Sequence, residues 1–250
     1  MDEQSVLYVK KDHIGWITLN RPQTGNRFDL VMAQELADIC GQINGDQDIY
    51  AVFLTGAGAD FCMGADFTTS ERQVKLISPS ESIAALNSPT IAVINGDAIG
   101  LGLELALACD LRLAAETARC GLPEITGGRI PMDGGTQRLS RVVGKAKALE
   151  IILTGEIMSA HSTFEIGLVN KVVKADDLAA EAEKLAGNLA AKASFALRYA
   201  KEAVNKGLDL TLEQGLRLEA DLYFLLHTTA DRTEGIQSFI QKRKPEYEGK

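Results

Sequence analysis

Two glutamates stand where the sequence pattern predicts that the chain enters its core. Glu104 opens the apolar stretch ELALACD, just behind the glycine turn at Gly100 and Gly102, and Glu124 lies twenty residues later in CGLPEITGG. Apolar surroundings raise carboxyl pKa values toward neutrality, so a pair of such groups can act as a general acid and a general base. Taken singly, Glu104 could be a helix N-terminal residue and Glu124 a carboxylate after a proline turn. The pattern alone leaves open whether the two side chains meet.

Two glycine-rich turns could supply backbone hydrogen-bond donors to the same site. DFCMGAD (residues 60–66) follows a strand predicted at residues 51–55, and NGDAIGLG (residues 95–102) follows one predicted at residues 90–94. Such turns can leave N–H groups unpaired where a helix begins, and two N–H groups that converge on one point form an oxyanion hole. The alternative is that both are only tight turns in which glycine relieves backbone strain.

The composition is that of a globular protein and disfavours several functional classes. Of the 250 residues, 46% are apolar, and 26 basic against 34 acidic residues give a net charge of −8, which opposes non-specific binding to nucleic acid. The four cysteines form no CxxC pair and the three histidines are far apart, so no metal site is predicted. There is no GxGxxG, Walker A, G-x-S-x-G or HExxH motif. The N-terminus lacks a signal-peptide pattern and no apolar run approaches the ~20 residues of a membrane span. We therefore expect a cytoplasmic protein, the alternative being an organelle-matrix protein whose targeting segment is absent.

The distribution of apolar residues predicts an α/β protein with a helical C-terminal part. Strand-like runs occur at residues 6–9, 15–19, 51–55, 90–94, 110–114 and 168–173, and helical periodicity occurs between them at residues 30–43, 82–86 and around Glu104. This alternation favours βαβ units with right-handed crossovers. Further along, helices are predicted at residues 136–143, 146–153, 177–191, 195–205, 212–226 and 230–242. We therefore predict an α/β core at residues 1–192 and a helical subdomain at residues 193–250 docked on it.

Six motifs in a fixed order resemble the crotonase superfamily, the enoyl-CoA hydratase/isomerase group. They are NRPQTGN, DFCMGAD, SPTIAVINGDAIGLGLELALACD, CGLPEITGGRIPMDGGTQRL, ILTGEIMSAHSTFEIGLVNKVV and IQSFIQKRKPEYEG, and together they extend over residues 8–249. The resemblance implies a crotonase-like spiral of ββα units with a C-terminal helical trimerisation subdomain, assembled as a homotrimer or a dimer of trimers. It also implies an acyl-CoA thioester as substrate, with no cofactor other than the coenzyme A that the substrate carries.

The resemblance further implies a role for individual residues. The amides of Met63 and Leu101 match the two oxyanion-hole donors. Glu104 matches the glutamate that activates water at the β-carbon, and Glu124 matches the one that delivers a proton to the α-carbon. The residues that match substrate-binding positions lie in the glycine turns, near the N-terminus, just before Glu124 and in the basic tail: Asp60, Cys62, Gly64, Ala65, Asp66, Gly100, Cys120, Arg27, Lys242 and Lys244. Lys242, Lys244 and Arg27 are expected to contact CoA phosphates. The alternative for the two lysines is a solvated tail, and the alternative for Arg27 is a surface arginine.

Three departures from the family pattern concern the substrate. Asp133 stands in IPMDGG where a small residue is usual, and it is either a third carboxylate of the site or the N-cap of the helix predicted at residues 136–143. Cys120 replaces a phenylalanine and Leu101 a glycine, so we expect a reshaped acyl pocket. The segment of residues 67–88 is several residues shorter than in typical hydratases. These changes favour an unusual acyl group, branched or cyclic.

The leading functional hypothesis is hydration of an α,β-unsaturated acyl-CoA to a 3-hydroxyacyl-CoA. Three other reactions of the superfamily stay open: hydration of a cyclic dienoyl-CoA, double-bond isomerisation, which needs only one carboxylate, and C–C hydrolysis of a β-diketone. A non-enzymatic alternative is a CoA- or RNA-binding protein, for which AKASFALRYAKEAVNK would supply basic residues. The acidic net charge and the presence of both glutamates argue against that alternative.

Overall fold

In the computed structural model of the protein, residues 4–66 and 78–250 are described. The strands of this part are β1 (Val6–Lys11), β2 (Ile14–Leu19), β3 (Ala51–Gly56), β4 (Thr90–Ile94), β5 (Ala98–Ile99), β6 (Leu111–Ala115), β7 (Arg119–Gly121), β8 (Ile157–Ser159) and β9 (Lys171–Val173). The α-helices are α1 (Leu30–Gly45), α2 (Pro79–Ala84), α3 (Leu101–Ala108), α4 (Gly135–Val143), α5 (Lys145–Thr154), α6 (Ala160–Glu165), α7 (Leu178–Ala190), α8 (Ser194–Gly207), α9 (Leu212–Leu226) and α10 (Ala230–Gln241). Short 3₁₀ helices cover Pro22–Thr24, Pro123–Gly127 and Ala175–Asp177.

The main sheet has the strand order β1-β2-β3-β4-β6-β9, and a smaller sheet has the order β5-β7-β8. β1 and β2 form an antiparallel hairpin, while every later neighbour in the main sheet is parallel. Parallel strands are usually covered on both faces, and β4 is buried along its whole length. The predicted βαβ alternation is confirmed by this parallel order, because each parallel neighbour needs a crossover connection.

Helix α3 is the element that carries a carboxylate into the core. All eight of its residues are buried, so it packs on every side and not only along one stripe. It joins a large apolar cluster with α1 and one face of the main sheet, whereas α7 packs on the opposite face against residues such as Phe53 and Ile91. Glu104 therefore lies on a rigid support and is itself 1% exposed.

Most of the predicted elements are present, and the misses have local causes. The helix at residues 212–226 and the strand at residues 90–94 are confirmed to the residue. Helix α2 begins earlier than predicted, because Pro79 fits the first helical position and the Ser78 hydroxyl accepts a hydrogen bond from the Glu81 amide. β5, β7, β8 and α6 were not predicted, and the strands among them have only two or three residues, too few for an alternating pattern.

The C-terminal helices dock on the core through buried and half-buried cations. Arg198 of α8 donates to the carbonyls of Gln47 (2.8 Å) and Ile49 (3.0 Å). Lys201 pairs with Asp110 at 2.9 Å. The predicted division after residue 192 stays a prediction, since these contacts join the two parts. In the described residues, no helix combines the length and the apolar character that a membrane span requires.

Candidate active site

The start of α3, the two glycine turns and the segment after β7 enclose a cavity of about 380 Å³. Both Glu104 and Glu124 line it, together with Gly64, Ala65 and Leu101. The structure thus brings together the two carboxylates whose meeting the sequence left open. Such a cavity, mostly apolar with a few converging polar groups, is typical of a small-molecule site.

The Glu104 carboxylate is held by backbone amides. Its Oε1 accepts hydrogen bonds from the amides of Asp133 (2.7 Å) and Gly135 (2.8 Å). Burial raises the pKa of Glu104 to about 7, the two amide bonds partly offset that rise, and the charges of Asp133 and Glu124 add to it. A side chain at Gly135 would place its Cβ 2.9 Å from Glu104 Oε1, so glycine is needed for this close approach. The carboxyl group therefore titrates near neutrality in a fixed orientation.

Glu124 lies on the 3₁₀ helix Pro123–Gly127 with one oxygen available. Burial raises the pKa of its carboxyl above the ordinary range, while Arg129 acts in the opposite direction. Its Oε2 is buried and has no hydrogen-bond partner within residues 4–66 and 78–250. Its Oε1 lies 2.7 Å from where a Cβ at Gly100 would be, and Gly100 has a φ of +57°. A side chain at Gly100 would therefore displace Glu124 and strain the backbone.

Backbone donors are present at the start of α3. Leu101 is the first residue of this helix, and its amide has no protein acceptor in the described part of the chain, as expected for the first turn. The first glycine turn adjoins it, because the Ile99 amide donates to the Cys62 carbonyl at 3.0 Å. Leu101 lines the same cavity as the carboxylates, and its role as a donor to a substrate stays a prediction.

The prediction that Met63 supplies the other donor amide is wrong. Its amide donates to the Gly25 carbonyl at 2.8 Å, so it is not available to a ligand. Two bonds pair the neighbouring residues with Phe28, from the Phe28 amide to the Gly64 carbonyl (2.9 Å) and from the Asp66 amide to the Phe28 carbonyl (2.8 Å). Between them, the Ala65 amide has no acceptor among the described residues and lines the cavity. Ala65, which the sequence assigned only to substrate binding, thus has an amide without a described acceptor at this turn, where Met63 does not.

Asp133 has neither of the two roles expected for it. Helix α4 begins after Gly134 with no side-chain cap, so Asp133 does not cap it. The carboxylate instead accepts from the Ser78 hydroxyl and from the Ser80 amide (2.8 Å) at the start of α2, outside the cavity that Glu104 and Glu124 line. A third carboxylate in the site is therefore not supported.

The remaining predicted binding residues fall into two groups. Gly64, Ala65, Gly100 and Arg27 line the cavity, and Arg27 donates to the Met63 carbonyl at 2.7 Å. Six others do not line it: Asp60, Cys62, Asp66, Cys120, Lys242 and Lys244. The two cysteines are buried, and burial raises both thiol pKa values to about 12. The two lysines are exposed on the tail, so the expected phosphate contact stays a prediction.

Several lining residues were missed by sequence reasoning. Thr126, Ile130 and Met132 all line the cavity and belong to the segment that runs from Glu124 to Asp133. Their closeness to Glu124 in the chain was the available signal. The shortened segment noted in the sequence lies partly at residues 67–77, outside the described residues, so its predicted effect on the acyl site is not assessed by this structure.

Several known proteins that resemble this chain in sequence and structure are named as enoyl-CoA hydratases or isomerases. A family model described as enoyl-CoA hydratase/isomerase matches residues 10–250. The enoyl-CoA hydratase/isomerase relative YngF of Bacillus subtilis is 44% identical over 259 residues, covering 100% of both chains. The crotonyl-CoA hydratase of Syntrophomonas wolfei is 34% identical over 261 residues, covering 99% of both chains. The crystal structure of an enoyl-CoA hydratase from Bacillus anthracis has a TM-score of 0.95 and 41% identity, covering 99% of this chain and 100% of that one.

Proposed function

Because the chain belongs to the enoyl-CoA hydratase/isomerase family, we propose that it is a hydro-lyase that adds water across the α,β double bond of an enoyl-CoA thioester. Its fold is the crotonase fold. The single observation that carries the proposal is that Glu104 and Glu124 line one cavity together with Leu101 and Ala65, whose amides have no acceptor among the described residues. Two titratable carboxylates and two backbone donors are what addition of water to a conjugated thioester requires.

In this proposal each group acts on a different atom of the substrate. Glu104, ionised, takes a proton from water as the water oxygen bonds to the β-carbon. Glu124, protonated, gives a proton to the α-carbon, so the product gains one OH and one H. The amides of Leu101 and Ala65 hold the thioester oxygen while it carries enolate charge, and each such donor contributes about 3–4 kcal/mol in comparable sites. The addition forms one C–O and one C–H bond and breaks the C=C π bond while the thioester bond stays intact, so coenzyme A enters and leaves only as part of the thioester.

The experiment that tests the proposal follows crotonyl-CoA with the purified protein. We expect loss of the absorbance of the conjugated enoyl-thioester and formation of 3-hydroxybutyryl-CoA. If the protein binds crotonyl-CoA but does not turn it over, its substrate carries a bulkier or cyclic acyl group, which the sequence departures also favour. No binding of any CoA thioester would contradict the proposal.

The pH dependence of hydration should report the unusual environment of Glu104. As the base, Glu104 acts only when it is ionised, so kcat/KM should rise as the pH increases through about 7. As the acid, Glu124 acts only when protonated, and burial favours that state by raising the pKa of its carboxyl. A profile of kcat/KM for crotonyl-CoA from pH 5 to pH 9 checks this. A lower limb near 4.5, the ordinary value for glutamate, would contradict the role of burial at Glu104.

A homotrimer, or a dimer of trimers, is the assembly we propose for this enzyme. Large apolar side chains remain exposed on the C-terminal helices, with Leu212 80% and Phe239 84% exposed, alongside Leu216, Phe224 and Ile240. Apolar surface of this kind favours contact with another subunit. Light scattering in solution gives the mass, and a monomer would contradict the proposal. The cytoplasmic location and a role in fatty acid metabolism stay predictions.

A further inference from the structure

One backbone turn, at residues 131–135, determines where the Glu104 carboxylate lies. The amides of Asp133 and Gly135 both donate to Glu104 Oε1, at 2.7 and 2.8 Å. These are the hydrogen bonds that the structure gives this carboxylate within the described residues. A change in the turn would therefore move or release the group that we assign to water activation.

The same turn is attached to helix α2 by the side chain of Asp133. Its Oδ1 accepts from the Ser78 hydroxyl, and its Oδ2 accepts from the Ser80 amide at 2.8 Å. The Ser78 oxygen in turn accepts from the Glu81 amide at 3.1 Å. Asp133 is 7% exposed, and both of its carboxylate oxygens accept hydrogen bonds from the start of α2.

From these contacts we propose that Asp133 is a positioning residue for the hydration reaction: its side chain anchors the turn to the start of α2, and the anchored turn holds Glu104 with its two amides. The inference rests on the proposed function. A charged acceptor is well suited to this place, because it satisfies a hydroxyl and an amide at once and charge-assisted bonds are stronger than neutral ones. Removing the Asp133 carboxylate leaves the buried Ser80 amide without an acceptor.

Arg138 gives the turn a second, weaker attachment to the same helix. Its Nη1 donates to the Asp133 carbonyl at 2.9 Å, and its Nη2 donates to Glu81 at 3.1 Å. The Glu81 carboxylate is 71% exposed, so this pair contributes little on its own. We therefore expect the turn to stay folded without the Asp133 carboxylate but to lose its exact position, which makes a substitution at Asp133 informative.

The test compares Asp133→Ala, Asp133→Asn and Ser78→Ala with the wild-type enzyme on crotonyl-CoA. Asp133→Ala removes both bonds and should lower kcat about 10²-fold, as a misplacement of about 1 Å can do, with KM little changed. Asp133→Asn keeps an acceptor for the Ser80 amide and Ser78→Ala keeps the whole carboxylate, so both should lose less. Ser82→Ala is the matched control, since Ser82 bonds the Ser78 carbonyl at the same helix start without touching Asp133. It should keep the wild-type kcat.

The lower limb of the pH profile separates positioning from charge. The charged groups that raise the pKa of Glu104 are Asp133 and Glu124. Asp133→Asn removes the negative charge but keeps an acceptor for the turn, so it should move the limb to lower pH. Asp133→Ala also releases Glu104 from the two amides, whose hydrogen bonds lower its pKa, so its limb should lie at higher pH than that of Asp133→Asn. Ser78→Ala should leave the limb in place while still lowering kcat. A lower melting temperature in all variants with an unchanged kcat and an unchanged limb would mean that Asp133 serves stability alone and would overturn the inference.

A crystal structure of Asp133→Ala tests the inference even without turnover. We expect Glu104 to leave the amides of residues 133 and 135, and a carboxylate still at 2.7 and 2.8 Å from both would overturn the inference. Failure of the wild-type enzyme to hydrate any enoyl-CoA would overturn the proposed function instead. The two failures are thus distinguishable.

Discussion

Glu104→Gln is expected to lower kcat for crotonyl-CoA hydration by about 10²–10⁴-fold, the usual contribution of a positioned general base. The substitution keeps the shape of the side chain, and its amide oxygen can still accept from the amides of Asp133 and Gly135. What it removes is the group that takes the proton from water. Steady-state rates on crotonyl-CoA measure the effect, and a variant that keeps wild-type kcat would exclude Glu104 as the base.

The stability of the same variant provides the control against a folding defect. The folded-state pKa of Glu104, about 7, lies above the ordinary value of 4.5, so the folded wild type binds this proton more tightly than the unfolded chain does. The wild type therefore loses stability as the pH rises from about 4.5 to about 7, by an amount of the order of 3 kcal/mol. Glu104→Gln lacks this loss and should be at least as stable as wild type at pH 8 in urea denaturation. Lower stability there would mean that the lost activity has another cause.

The parts of the site that sequence could predict are those that depend on local pattern. Glu104 lies in the first turn of a helix that follows a glycine turn, and every other residue of that helix is apolar or glycine, so these neighbours alone indicate a buried carboxylate. Glu124 follows Pro123 among small residues. The family resemblance joined the two, and the structure confirms that they line one cavity. Periodicity likewise predicted the long helices well, because a helix of ten or more residues repeats its pattern several times.

The parts that sequence could not predict depend on contacts between distant residues. The amide of Met63 is occupied by the carbonyl of Gly25, a residue in a different loop, and only the folded chain reveals that bond. Asp133 could equally have faced α4 or the cavity, and it bonds α2 because Ser78 and Ser80 are brought against it by the packing of α2 on α3. Pairing across the chain, rather than residue type, decides which amides and carboxylates remain free for a substrate.

Glu124→Gln should also lower kcat for hydration by about 10²–10⁴-fold, but because it affects a different step. In the proposal Glu124 exchanges a proton with the α-carbon, whereas Glu104 acts on the water oxygen. The Glu124 Oε2 has no protein partner in the described residues, which leaves it available to the substrate. We therefore expect exchange of the α-proton of butyryl-CoA with D₂O, followed by NMR, to be lost in Glu124→Gln and kept in Glu104→Gln.

The exchange experiment assigns the two roles because butyryl-CoA has no double bond to hydrate. Removal of its α-proton needs one base and the oxyanion donors at Ala65 and Leu101, and it needs no activated water. The opposite result, with exchange lost only in Glu104→Gln, would reverse the assignment. A β,γ-unsaturated acyl-CoA extends the comparison to isomerisation, which one proton-carrying carboxylate can perform. If Glu104→Gln converts that thioester to the conjugated isomer while failing to hydrate crotonyl-CoA, Glu124 alone moves the α-proton and Glu104 is needed only for water.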